Sequence, residues 1–211
     1  MQPQTPNIIW VRHGALREDM GPYEVRVLLH NPAKTESEVT LVAQLPDAHR
    51  PVRLSLRMPG ERYLSLLLFL KTTCLKRIIG DYGVIVLLDK DGNIVDQKAF
   101  EITSKHPPGF KPQVLFSKKS YRPGEPVLAS IVDLPLGTDI ITLMVTMLGN
   151  PGYIGFIDQL TPMNPPYNYT AWIRPFIPLG DKPGTYIMRA RIWSWGELVA
   201  TASGEFTILK G

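Results

Sequence analysis

Cysteine is almost missing from this chain. In 211 residues there is one, Cys74, so no intrachain disulfide can form. Small extracellular domains often depend on such bridges; this chain must hold its folds together by burial alone. With apolar residues nearby and no second thiol, Cys74 reads as a buried structural residue. Histidine is scarce too. His13, His30, His49 and His106 show no spacing of the kind that pairs metal ligands on one element. There is no Gly-x-Ser-x-Gly elbow and no phosphate-cradling Gly-rich loop. The one adjacent acidic pair, Glu18-Asp19, stands beside Arg17 with nothing apolar to shift its pKa values. These absences point to a non-enzymatic chain with no catalytic residue, no cofactor and no metal site.

Long apolar runs are missing as well. The longest, Leu64 to Leu70 with Ser65 inside it, is too short to span a membrane. The start, Met1-Gln2-Pro3-Gln4-Thr5-Pro6, has no basic stretch followed by an apolar one, so no signal peptide is expected. Such a chain stays where it is made, leaves the cell inside a particle, or has lost a leader. Nor does one sign of charge dominate: the net charge is +4, from 23 Lys+Arg against 19 Asp+Glu. Residues 1–105 hold 14 bases and 12 acids, leaving 9 and 7 for the rest, so each half carries +2. Without a basic cluster, nucleic-acid binding is not expected.

What the chain does have is 44% hydrophobic residues and twenty prolines, a globular composition punctuated by turns. Tyr23, Val25, Val27 and Leu29 alternate with Glu24, Arg26, Leu28 and His30, the period of a half-buried strand. Asn7 to Val11, Val39 to Leu45 and Val52 to Met58 read similarly. Gly83 to Leu88 and Ile94 to Ile102 form a hairpin around Asp89-Lys90-Asp91-Gly92-Asn93. That turn has its Gly fourth and Glu101 thirteenth, which misses calcium-loop spacing. Residues 61–79 stay open between a helical face and a buried strand, Leu64 to Leu70, followed by a short helical crossing; the strand is preferred. His106-Pro107-Pro108-Gly109-Phe110-Lys111-Pro112 forms a semi-rigid spacer between domains 1–105 and 113–211.

In the second domain, Val114 to Phe116, Val127 to Ile131, Ile140 to Leu148 and Tyr186 to Ile192 read as strands, followed by Glu197 to Ala200 and Gly204 to Leu209. Pro183 to Ile192, Gly196 to Ala200 and Gly204 to Ile208 resemble the last three strands of bacterial and archaeal immunoglobulin-like modules. Tyr121-Arg122-Pro123-Gly124-Glu125-Pro126-Val127 resembles the entry to their second strand. Asp181, Gly184 and Tyr186 are similar to their tyrosine corner, with Asp81-Tyr82-Gly83 the nearest equivalent in the first domain. The resemblance implies an all-β chain of two tandem immunoglobulin-like (fibronectin-III-like) β-sandwiches. It is nearly silent about function.

Partner contact is expected from aromatic residues. Asn150 to Pro178 carries Tyr153, Phe156, Tyr167, Tyr169, Trp172 and Phe176 with little alternation, and reads as a loop. It serves either as a contact surface or as a lid over its own sandwich. Trp193-Ser194-Trp195-Gly196 occupies a hairpin tip. Trp193 falls on the Arg189/Arg191 face, suited to cation–π packing, and Trp195 is the better contact residue. Asn168-Tyr169-Thr170 is a glycosylation sequon to which no role is given. The expected work is structural, in assembly with copies of the chain or other subunits. A virion component (capsid, turret, tail or decoration protein) or another extracellular assembly fits best, and the cytoplasm if neither applies. Many prolines, one cysteine and few Asn and Gln suit a thermophile. A carbohydrate- or protein-binding module using Tyr167, Tyr169, Trp172 and Trp195 is the alternative, or an accessory domain of a surface enzyme.

Overall fold

The computed structural model describes residues 5–13, 23–48, 50–71, 78–103, 109–135, 138, 140–160, 172–176 and 182–211, with backbone alone for 151–160 and 172–176. Every regular element among them is a strand. The chain divides into two compact units, Met1–Gly109 and Phe110–Gly211. Cys74, His49, His106, the Glu18-Asp19 pair, Asp181, the sequon, the crossing after Leu70 and residues 106–108 of the spacer lie outside the described residues.

The first unit contains β1 (Asn7–His13), β2 (Tyr23–Asn31), β3 (Ser37–Gln44), β4 (Val52–Met58), β5 (Arg62–Leu70), β6 (Tyr82–Leu88) and β7 (Ile94–Glu101). They form two antiparallel sheets, β1-β2-β5 and β4-β3-β6-β7. Strong β-formers at period two explain the strands. Val39, Leu41 and Ala43 on β3 and Ile85 and Leu87 on β6 are all buried. Each of the valine, leucine and isoleucine side chains contributes roughly 1.5–3 kcal/mol by leaving water. Residues 62–70 resolve as strand, with Leu64, Leu66, Leu67, Leu68 and Leu70 buried.

β2 departs from the half-buried expectation. Arg26 is 1% exposed, and Leu28 beside it is buried as well. Opposite them on β5, Leu67 and Ser65 are buried too. This pair of strands is therefore covered on both faces, so an alternating pattern with two apolar-compatible faces cannot be solvated on one. A charge so enclosed needs partners, and the Glu24 carboxylate approaches Arg26 at 3.7 Å.

Asn31, fully buried, joins the corners of this unit. Its Nδ2 donates to the carbonyls of Met58 at 2.8 Å and Thr35 at 3.0 Å, while its Oδ1 accepts from the Ala33 N–H at 3.1 Å. The hairpin at Asp89–Asn93 forms as expected, with Gly92 at φ +85°. Asp89 Oδ1 accepts the Asp91 and Asn93 N–H groups at 2.9 and 2.8 Å. The Asn93 side chain and these N–H groups hold the Asp89 carboxyl below its ordinary pKa. The expected corner at Tyr82 is not one: this ring is 66% exposed. The buried tyrosine of the unit is Tyr23, whose hydroxyl accepts the Thr103 N–H at 3.4 Å.

The second unit contains β8 (Gln113–Phe116), β9 (Ser120–Tyr121), β10 (Val127–Val132), β11 (Ile140–Met147), β12 (Asn150–Leu160), β13 (Trp172–Phe176), β14 (Gly184–Ser194) and β15 (Glu197–Ile208). Its sheets run β13-β10-β8 and β12-β11-β14-β15-β9, with β9 parallel to β15. Val127, Ala129 and Ile131 of one sheet share a core with Ile141, Leu143, Val145, Met188, Ile192 and Phe206 of the other. The architecture is sandwich-like: two sheets close on one apolar layer. Tyr186 and Phe206 stack at 5.4 Å, and Tyr121 meets Phe206 edge-on at 6.0 Å. The sheets approach closely at Gly204, where an added Cβ would lie 2.6 Å from the Val114 carbonyl oxygen.

Two expectations are corrected here. Residues 150–178 are not one irregular loop, since 150–160 pair with β11 and 172–176 with β10. Both new strands are sheet edges, which is where Pro151, Gly152 and Pro175 are tolerated. The last two strands expected from sequence are one, because Thr201 to Ser203 continue the pairing with β14.

Candidate functional site

The turn between β14 and β15 sets the most exposed aromatic side chain of the described residues. Ser194 pairs with Glu197, leaving Trp195 and Gly196 as a two-residue loop. Their φ values are +52° and +81°, the signs of a type I′ turn. Asn-Gly is the usual occupant, because a Cβ in the left-handed region costs roughly 1–2 kcal/mol. Here the first position holds tryptophan, 90% exposed. Leu198 and Val199, next to it in sequence, are 49% and 45% exposed. Val199 is extruded because the register shifts between Ile192↔Ala200 and Trp193↔Leu198.

Trp193 behaves differently. It lies half-buried on the solvent-facing side of β14, and its Nε1–H donates to Thr142 Oγ1 at 3.2 Å. Arg189 shares that face as expected, but its Nη1 donates to Thr146 Oγ1 at 3.0 Å, further along β11. One indole is thus fixed to the sheet and the other is presented to solvent.

Other aromatics expected at a contact surface separate into two groups. Phe156 stands opposite Val145, and Tyr153 adjoins Ile154, opposite Thr146. Both are on β12 and lie toward the Leu148–Gly149 turn, away from Trp195. Trp172 opens β13 opposite Ile131, near the end of β10. Leu160 pairs with Ile141, which pairs with Ile192. Ile140 in turn pairs with Trp193, so β12 ends on the side of the sheet that carries the Trp195 turn. Tyr167 and Tyr169 lie outside the described residues.

A shallow groove, not expected from the sequence, lies at the other end of the same sheet. Met144, Thr146, Met147, Leu148, Gly149, Ile187 and Arg189 line about 430 Å³. Its signal was present in Leu148-Gly149 between two β-runs, where Gly149 takes φ +79°. The floor is apolar with one guanidinium, which suits binding rather than acid–base work. Among the described residues, no three His, Cys, Asp or Glu side chains gather as metal ligands would. No described helix is long and apolar enough to cross a membrane.

No family model and no curated protein matches this chain. Among solved structures, the crystal structure of red sea bream transglutaminase aligns over 96% of the chain at 13% identity and a TM-score of 0.36. The chain spans 31% of that protein's length. So distant a likeness carries no argument about activity.

Proposed function

We propose that this chain is a non-enzymatic assembly protein, two immunoglobulin-like sandwiches in tandem, that docks onto a protein partner through the Trp195 end of its second unit. One observation carries the reading. A tryptophan occupies a left-handed turn position that asparagine or glycine would fill at lower cost, and there it is 90% exposed. The turn itself is formed at lower conformational cost by asparagine or glycine, whereas a docking surface gains from an exposed indole. Exposed tryptophan flanked by apolar neighbours is the common composition of an interface anchor. Leu198 and Val199 supply those neighbours. The partner is a further copy of the chain or another structural subunit. The narrower expectation of a virion component draws no support from the fold or the comparisons, so the proposal concerns the class of work alone.

Light scattering over a concentration series tests it, comparing the natural chain with Trp195→Ser. An oligomer that loses at least tenfold in affinity in the variant supports docking through this turn. Association unchanged by the substitution would overturn it for self-assembly. A glycan screen answered by the natural chain and lost in the variant would replace the protein partner with a carbohydrate.

A further inference from the structure

An aspartyl or asparaginyl residue can shift its linkage to the next residue without any enzyme. The following backbone nitrogen attacks the side-chain carbonyl carbon, and a five-membered succinimide ring closes. The next residue therefore decides which positions are open to this chemistry. Proline has no N–H to lose, and a β-branched or bulky neighbour crowds the attack. The six asparagines of this chain are followed by Ile8, Pro32, Ile94, Pro151, Pro165 and Tyr169. Of the ten aspartates, Asp91 alone precedes glycine, which has no Cβ to obstruct.

Packing gives that peptide no cover. Asp91, Gly92 and Asn93 are all exposed at the tip of the β6–β7 hairpin. A Cβ added at Gly92 would meet no atom within 4 Å, so glycine is required here by its φ of +85° and not by lack of room. The Asp91 carboxylate accepts no hydrogen bond among the described residues and is free to turn toward the next peptide. Restraint comes from the turn. The Gly92 N–H donates to the Asp89 carbonyl at 3.1 Å, and the Asp89 N–H donates to the Asn93 carbonyl at 2.9 Å. Asp89 Oδ1 takes the N–H groups of Asp91 and Asn93. While those bonds stand, the Gly92 nitrogen keeps its proton and its place.

We infer that Asp91 is a site of spontaneous conversion to isoaspartate, restrained by the turn that Asp89 builds. The Gly92 nitrogen gives up its proton and bonds to Asp91 Cγ. The protonated carboxyl loses its hydroxyl, which leaves with that proton as water. Water then opens the ring. Attack at Cγ restores aspartate, while attack at the main-chain carbonyl carbon leaves Gly92 attached through the side chain. No oxidant or reductant takes part, and the mass is unchanged. The product has one more main-chain carbon between Asp89 and Asn93, so their hydrogen bonds no longer fit. β7 begins directly after this turn, and two of its side chains hold β1. Asp96 accepts the Ile8 N–H at 2.6 Å, and Lys98 donates to the Ile9 carbonyl at 2.7 Å. Modification at one exposed residue thus loosens the attachment of the first strand.

Weeks of incubation in neutral buffer, below the melting transition, test this. The digested chain is assayed for the chromatographic isomer of the peptide holding residue 91 and for methyl transfer by an isoaspartyl methyltransferase. Isoaspartate should accumulate at residue 91 and be absent from Asp91→Glu, whose longer side chain disfavours ring closure. Asp89→Ala should accumulate it several-fold faster. Asp89→Asn keeps an acceptor for the two N–H groups and should stay near the natural rate. Circular dichroism before incubation certifies that the variants fold. No isomer at residue 91 of the natural chain, or an equal signal in Asp91→Glu, would overturn the site. Equal rates in the natural chain and Asp89→Ala would overturn the restraint. Should Asp89→Ala fail to fold, Asn93→Ala, which removes the side-chain bond to Asp89 Oδ2, takes its place under the same criterion.

Discussion

The Tyr186 hydroxyl donates a 2.6 Å hydrogen bond to the carbonyl of Lys182, four residues upstream. The ring itself is fully buried, stacked on Phe206, so one side chain fixes both the core and the chain's entry into β14. Tyr186→Phe keeps the packing and removes only the tie. A lost hydrogen bond of this kind costs about 1–2 kcal/mol, or a fall of roughly 4–8 °C per kcal/mol in a unit of about 100 residues. Calorimetry should show the loss confined to the second unit's transition.

Asn31 should be costlier to alter. Asn31→Ala abandons the carbonyls of Met58 and Thr35 and the N–H of Ala33 together. A loss of about 3 kcal/mol is expected in the first unit. Asn31→Asp should be worse despite its shape, because a carboxylate cannot donate to those carbonyls. Urea titration of the two variants would check the order.

Trp195→Asn should raise stability and, if the chain docks through this turn as proposed, abolish that docking. Asparagine accepts the left-handed turn that tryptophan occupies at φ +52°. A gain of about 0.5–1 kcal/mol is expected. A simultaneous loss of partner binding would show that the residue serves association at the expense of folding.

Mild acid should weaken the first unit alone. Burial depresses the pKa of His30, stacked on Tyr63 at 4.2 Å, below its ordinary 6.5, with Glu61 opposing the shift. Burial depresses His13 likewise, against Glu101, and its ring lies 6.0 Å from that of Phe100. The unfolded chain therefore binds more protons than the folded one once the pH falls through about 6.5. Stability rises with pH across that window, and its loss on acidification ends below the depressed folded values. All four histidines precede Phe110, so the second unit should melt at the same temperature from pH 7 to pH 5. Melting curves at both pH values test the contrast.

Local pattern made most strands legible, and the failures have physical causes. Val39 to Leu45 and Tyr186 to Ile192 alternate cleanly because one side of each is solvent-facing. β2 alternates as well, yet Arg26 and Leu28 are buried, since cover from elsewhere in the chain leaves no mark on its own period. β12 escaped because Pro151, Gly152 and Gly155 read as loop, while its pairing with β11 is a property of the sheet edge. Tyr82 and Tyr186 share a local setting with Gly nearby, but one is 66% exposed and the other buried. Of the contact residues, Trp195 was legible because Trp-Gly between two β-runs can only be a tip.

β15 lies between β14 and β9, and it delivers Phe206 and Ile208 to the core that Tyr121 and Tyr186 already line. On a ribosome it is the last strand of its unit to emerge. Until residues 197–208 are free, Ser120–Tyr121 has no partner strand and the Tyr186 ring has no Phe206 to stack upon. The seven strands described in the first unit are by then complete. Assembly of the second unit is therefore gated by the arrival of one segment, and a nascent chain paused before it would offer its unfinished core to chaperones.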